Sequence, residues 1–347
     1  SSFPRGFFFH DENLKDVRLP FFSLRCRHHP VRNLPCFRES DLEALLAGIE
    51  RKRDLPEKTK EKLKQFLRDV CLSPRLFSAQ DYSEQITLMN YNLWKRLPGQ
   101  ENTDLIYIEQ EEVAANLLTR YHLGYDTMIS RLLADESWLL AFEKYFDGVT
   151  GAFSSKIRHG TMLFWAVQSG KRKRLIRDGL ALVSSDGKYR VSLESAALRS
   201  AILKKEIMPS MALTFIVLAF YYGLSCGGGF LQVSYLTEMK DAYRSMLKAV
   251  SMGQDEIDRL APIKTDYFCG EFVLPTISDK IKRLAATPLD FLLYYDENTF
   301  ARLRNTATKC TLNDAVDQMM PELYKIVCGM DAGIQPSPFP YEPTLFI

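Results

Sequence analysis

Apolar residues recur three and four positions apart over most of this chain, and between residues 160 and 193 the period shortens to two. The pattern predicts a mainly helical protein with one group of strands near its middle. Ser40-Asp41-Leu42-Glu43 has the form of a capping box, in which a hydroxyl and a carboxylate satisfy the first free N–H groups of a helix. Leu42, Leu45, Leu46 and Ile49 carry that helix forward. Pro56 opens a second, with Leu63, Phe66, Leu67 and Val70 on its apolar face. Its other face, Lys58, Lys60, Glu61, Lys62, Lys64 and Arg68, reads as solvated surface. Ser73-Pro74 and Pro98-Gly99 are breaks, and Leu105-Ile106-Tyr107-Ile108 reads as a short strand. Val113, Leu117 and Leu118 place a helix over 110–123, stopped by Gly124, and two more follow over about 126–133 and 137–146.

Thr161 to Val167 is a β-type run, Gln168-Ser169-Gly170-Lys171 supplies a turn, and 174–177 and 180–183 continue extended. Asp186-Gly187 suits the positive φ angles of a type I′ hairpin, and Tyr189 to Leu193 alternates as a half-buried strand does. These runs predict a central antiparallel β-meander of three to four strands. Helical spacing resumes over 195–207, and the most apolar stretch of the chain follows, Met208 to Leu247. It reads as a buried helix, a turn containing Gly223 and Gly227-Gly228-Gly229, and an amphipathic helix. Farther on, 254–260, 277–285, 288–295 and 313–327 have helical spacing, with an irregular loop at 263–274. Residues 1–38, rich in Pro, Arg, Phe and His, read as an irregular arm, and Pro336, Pro338, Pro340 and Pro343 mark 334–347 as an extended tail. No internal repeat or low-complexity linker interrupts 39–347, which favours a single α+β domain, with a sub-boundary near 150 as the alternative.

At 347 residues, 46% hydrophobic and 25% charged, the chain has an ordinary globular balance and can bury a large core. Its net charge of +2 excludes little, but the distribution is uneven: 81–150 carries 5 Lys/Arg against 12 Asp/Glu, and 151–210 carries 12 against 4. Adjacent blocks of opposite sign either pair with each other or face different partners, and the acidic block argues against a nucleic-acid groove over the whole molecule. Seven cysteines without a repeated spacing fit reduced thiols in a cytoplasmic protein better than a disulfide framework. No secretory signal is recognisable, although a chain that does not begin with Met is compatible with a leader removed ahead of it. The apolar core of 208–224 is about 14 residues, short of the roughly 18 to 20 that a bilayer requires, so a buried helix is expected and no membrane contact.

Candidate chemistry gathers at three places. At the glycine turn, Gly227, Gly228 and Gly229 permit close approach of a ligand whose negative group would meet free N–H groups of the next helix, with Ser225 and Gln232 as polar neighbours. Tight helix crossing is the competing explanation, and the turn lacks both the Lys of a P-loop and the spacing of a dinucleotide fingerprint. Cys226 lies within it, where a helix N-terminus would favour a thiolate nucleophile with His159 as its base; a small core residue explains the cysteine as well. His159-Gly160-Thr161 has the His-x-Thr form of some phosphoesterases, which use two copies where this chain has one. On the meander, Lys171-Arg172-Lys173-Arg174 with Arg177 either protects a sheet edge or grips a small anion, with Arg174 or Arg177 neutralising its charge. In the 265–271 loop, Asp266 and Glu271 are the pair that could divide acid and base work, while turn formation explains the same residues. Cys26, His28, His29, Cys36 and His10 collect soft ligands at no common zinc spacing, so no metal is assigned and no cofactor is specified.

The leading expectation is an enzyme of transferase or hydrolase type. It would act on a small anionic or acyl-type substrate in a pocket between 225–232, the meander near His159, and the 265–271 loop. The rival is a non-catalytic interaction or regulatory protein whose basic hairpin and acidic helices are docking surfaces.

Overall fold

The structure is a computed structural model that describes residues 6–23, 26, 29–97, 102–267, 276–279, 283–317, 320, 324, 328, 333 and 340–346. The expected turn at Pro98-Gly99, the loop beyond Tyr267 with Glu271, much of 318–327, His28, Pro336 and Pro338 lie outside the described residues. The chain is α+β, and its contacts separate two compact units. One comprises Ser1–Arg27, Leu34–Tyr107 and Glu271–Ile347, the other His28–Asn33 and Ile108–Gly270, so the division runs beside 107 and 270 and leaves 150 inside the second unit.

In the first unit a hairpin stands where an irregular arm was expected. Gly6–His10 pairs antiparallel with Asp16–Pro20, Phe7 opposite Leu19 and Phe9 opposite Val17. Phe9, Val17 and Leu19 are buried, and Phe7 meets Phe21 and Phe66 edge-on at 5.2 and 4.9 Å. Three consecutive phenylalanines hide the alternation that announces a strand. The helix Glu39–Glu50 begins two residues earlier than the expected box implies, because Asp41 rather than Glu43 returns its carboxylate, to the Arg38 N–H at 2.8 Å. Glu57–Cys71 follows Pro56 and buries Leu63, Phe66, Leu67 and Val70. Near the C-terminus, Thr276–Ser278 pairs antiparallel with Arg283–Ala285 and parallel with Leu345–Phe346, so these residues are strands where helical spacing and an unpaired tail were expected. Leu105 to Ile108 belongs to no strand, and Ile106 is 86% exposed.

The second unit is built on a five-stranded sheet. Its spatial order is Arg190–Ser192, Ala181–Ser184, Lys171–Asp178, Phe164–Gln168 and Ile207–Pro209, with every neighbour antiparallel. This corrects the expectation of one central meander of three to four strands: a fifth strand joins from 207–209, and smaller sheets occur elsewhere in both units. Ile207, Met208 and Pro209 are all buried, so no alternation separates them from the apolar run that follows. Proline, which has no N–H to give, is tolerated there because the strand is the sheet's edge. Ser210 Oγ then accepts the Leu213 N–H at 3.1 Å and caps the helix Met211–Phe215.

The turns also differ from their sequence reading. The two consecutive residues with positive φ that a type I′ turn requires are Ser169 (49°) and Gly170 (73°); at the other turn Gly187 has φ 69° but Asp186 is not in the positive region. Asp186 instead holds a wider loop through its side chain, accepting from Ser184 Oγ at 2.6 Å, the Lys188 N–H at 3.3 Å and Lys173 Nζ at 3.2 Å. These donors, the Ser184 hydroxyl first, pull its carboxyl down to about 2. The long helix Phe230–Ala249 packs on Glu136–Phe146, burying Leu139, Phe142, Phe146, Leu236, Tyr243 and Met246. Among the described residues, no helix is long and apolar enough to cross a membrane.

Candidate functional site

Two helices of the second unit end in π-helical turns. After Gln110–Leu117, the turn Leu118–His122 closes with Leu123 N–H donating to Leu118 O at 2.8 Å. After Met211–Phe215, the turn Ile216–Tyr221 closes with Tyr222 N–H donating to Val217 O at 3.1 Å. Each such turn spaces a hydrogen bond over five residues rather than four and so re-aims the side chains that follow it. Here the re-aimed residues meet. His122 Nε2 lies 3.1 Å from Tyr222 Oη, its Nδ1 lies 3.0 Å from Thr127 Oγ1, and Tyr221 packs edge-on against the ring at 4.9 Å.

Burial brings the His122 pKa down to about 4, so the ring is neutral at pH 7 and donates at one nitrogen while accepting at the other. The hydroxyls of Thr127 and Tyr222 are thereby linked through one imidazole. Burial, and then the neighbouring Tyr221 and Tyr121, raise the pKa of Tyr222, which keeps its proton at neutral pH.

Beside this pair opens a cleft of about 620 Å³, within the usual range for small-molecule sites. Its buried lining is Phe220, Tyr243, Leu247 and Leu260, and its exposed lining includes Tyr222, Ser225, Arg259, Lys264 and Tyr267. Phe220 and Tyr243 stack at 5.7 Å. Tyr243 is 1% exposed, and its hydroxyl has no hydrogen-bond partner among the described residues. An unpaired buried hydroxyl costs about 1–3 kcal/mol, and this one belongs to a residue that lines the cleft. Burial, with smaller contributions from Tyr221 and Glu256, holds its pKa well above the ordinary phenol value. At the rim Arg259 Nη1 meets Glu256 Oε2 at 3.1 Å, while Lys264 makes no ion pair among the described residues and lies 5.8 Å over the Tyr267 ring.

Of the residues singled out at the glycine turn, Gly223 and Ser225 lie on this cleft. The glycine turn and the 265–271 loop do meet: Gly228 N–H donates to Tyr267 O at 3.2 Å. Gly229 is the N-cap of the 230–249 helix, and Gly227 is exposed. A Cβ on Gly228 would sit 2.3 Å from the Gln232 side chain, whose Oε1 accepts from Tyr235 Oη at 3.2 Å, so Gln232 covers the turn. Cys226 is buried, its Sγ donates to Leu224 O at 3.5 Å, and burial raises its pKa, the opposite of what a thiolate nucleophile requires. Asp266 is exposed. Arg177 is bound to Glu143 Oε2 at 2.7 Å and Arg174 to Ser154 O at 3.2 Å, so charges of the basic strand are joined to the unit's own acidic helix and backbone.

His159 is exposed on a short hairpin, Phe153–Ser154 against His159–Gly160, and does not line the cleft. The His-Gly-Thr triplet has a packing explanation. Gly160 has φ +70°, and a Cβ there would lie 2.1 Å from Ala152 O. Thr161 Oγ1 accepts the Leu175 N–H at 2.9 Å where the ladder has not yet begun. Gly160→Ala is expected to cost about 2 kcal/mol, read as a lower urea midpoint. An unchanged midpoint would show that the Ala152 backbone yields.

Among the described residues, no cluster of three or more His, Cys, Asp or Glu side chains is placed to hold a metal ion. Cys36 Sγ instead donates to Gln80 O at 3.6 Å, and His10 pairs with Asp290 at 2.7 Å. The residues that sequence reasoning missed are His122, Tyr222, Tyr243 and Lys264. The one local sign was Tyr221-Tyr222-Gly223, two tyrosines at the polar end of an otherwise apolar helix. No protein-family model, curated protein or solved structure matches the chain.

Proposed function

We propose that the 108–270 unit is the substrate-binding part of an enzyme acting on a small anionic or acyl-type molecule, held in the cleft beside the glycine turn. The observation that carries this reading is the unpaired, buried Tyr243 hydroxyl at a cleft lined by aromatic rings. A polar ligand atom placed against it would give that hydroxyl a hydrogen-bond partner. Flat aromatic walls favour a planar acyl or aromatic body, and Lys264 at the rim, with no ion pair among the described residues, favours an anionic end. Tyr222, protonated and backed by neutral His122, is suited to donate a hydrogen bond or a proton to a substrate oxygen that gains negative charge.

Benzoate and phenyl phosphate are the probes, with inorganic phosphate and sodium chloride as controls, and binding is followed by thermal shift and titration calorimetry. The aromatic anions are expected to stabilise the protein more than the controls do. Tyr243→Phe is expected to bind them about three- to tenfold more weakly, as loss of a hydrogen bond worth about 1 kcal/mol implies. The same variant should melt no lower than wild type, because its hydroxyl has no partner to lose. Unchanged affinity in Tyr243→Phe, or no response to either aromatic anion, would remove the basis of the proposal.

A further inference from the structure

We propose that the other unit contains a second, independent site, for a small organic phosphate, where Lys58 and Lys62 share a cavity with Tyr294, Tyr295 and Phe346. The helix Glu57–Cys71 carries a lysine at every second position from 58 to 64. Two of the four have carboxylate partners: Lys60 meets Glu57 at 2.6 Å, and Lys64 meets Glu50 at 2.8 Å and also Glu61. Lys58 and Lys62, one turn apart, make no ion pair among the described residues, and both line a cavity of about 400 Å³. Lys62 Nζ is tied to the carbonyl of Leu293, which also lines that cavity.

Partial desolvation of an otherwise exposed side chain, and after it the nearby Lys58, lower the pKa of Lys62. Among the described residues Glu12 is the one carboxylate on the lining, and it accepts the Thr59 hydroxyl at 3.3 Å without pairing with either lysine. Side chains at i and i+4 lie about 6 Å apart at Cβ, close enough for both ammonium groups to reach oxygens of one phosphate. The aromatic rings leave room for an organic body on that phosphate. A dianion would remove the repulsion, which no ion pair of Lys58 or Lys62 among the described residues relieves.

Limiting acetylation of the full chain with acetic anhydride at neutral pH, mapped by peptide mass spectrometry, tests the site. Lys62 should react faster than Lys64, whose pKa is raised by its bonds to Glu50 and Glu61. Phenyl phosphate at about four times its Kd should slow the labelling of Lys58 and Lys62 about fivefold and leave Lys60 and Lys64 unchanged. In Lys62→Gln, the protection of Lys58 should be lost. Protection of all four lysines alike, equal protection by sodium chloride of matched ionic strength, no protection by saturating phenyl phosphate, or undiminished protection of Lys58 in Lys62→Gln would each overturn the assignment. None of these readings depends on the Tyr243 cleft.

Discussion

Asp290→Ala is expected to destabilise the first unit by about 3–5 kcal/mol, the largest effect of a single substitution foreseen here. Asp290 is 0% exposed and does three things at once. Its Oδ1 accepts the His10 N–H at 2.7 Å, its Oδ2 faces His10 Nδ1 at 2.7 Å, and the same oxygen accepts the Thr287 N–H at 2.7 Å. The last bond is half of the capping box that starts the helix Pro288–Tyr294, since Thr287 Oγ1 accepts the Asp290 N–H at 3.1 Å. Tyr294, at the other end of that helix, donates to His10 O at 2.9 Å. One carboxylate therefore caps a helix and fastens it to the N-terminal hairpin. Alanine leaves polar groups of His10 and Thr287 buried and unpaired, whereas Asp290→Asn keeps one acceptor oxygen and should lose less. Urea unfolding followed by far-UV circular dichroism gives both values. A midpoint for Asp290→Asn equal to that of wild type would show that the charge and second oxygen contribute nothing, and one for Asp290→Ala equal to that of wild type would show that the carboxylate does not fasten the helix to the hairpin.

Acidification is expected to destabilise the second unit through His122. Its pKa falls from 6.5 to about 4 on folding because the ring is buried. The unfolded chain therefore binds the proton more readily between those values. The stability associated with the neutral ring is complete above the unfolded pKa and is lost as pH falls from about 6.5 towards about 4, by about 3 kcal/mol over the whole window. Its hydrogen-bond partners are the hydroxyls of Thr127 and Tyr222, and its ring neighbours are Tyr221 and Tyr222, so among the described residues no charged contact of the ring opposes the trend. His122→Gln cannot titrate and should show a flatter profile than wild type in urea unfolding followed by tryptophan fluorescence, where Trp138 is buried in this unit. Asp186, with its carboxyl near 2, contributes only at lower pH. Parallel profiles for the two proteins between about pH 6.5 and pH 4.5 would mean that His122 is not the titrating group.

The same two residues show how far the sequence could be read. Asp290 stood in a run with helical spacing, and Pro288 marked its start, so the helix was legible while its second role was not. His122 was legible only as one histidine near the end of the 110–123 helix. Its partner Tyr222 is 100 residues away, and the His10 to Asp290 contact spans 280. Among the described residues singled out at the glycine turn, Gly223 and Ser225 lie on the cleft. Gly228 was conspicuous for its missing side chain, and the structure fills that space with Gln232.

Within the sequence alone, Pro56, Gly124 and the spacing of Leu63, Phe66, Leu67 and Val70 determined helices, and the period of two around Thr161 to Leu193 determined that strands exist. Capping, turn chemistry and amphipathic burial act over a few residues, so they leave a local trace. The strand Ile207–Pro209, the two π-helical turns and the neighbours of Tyr243 were decided only in the tertiary structure. A wholly buried strand has no alternating face, a widened turn depends on what packs against it, and an unpaired hydroxyl is visible only once every possible partner has a position in space.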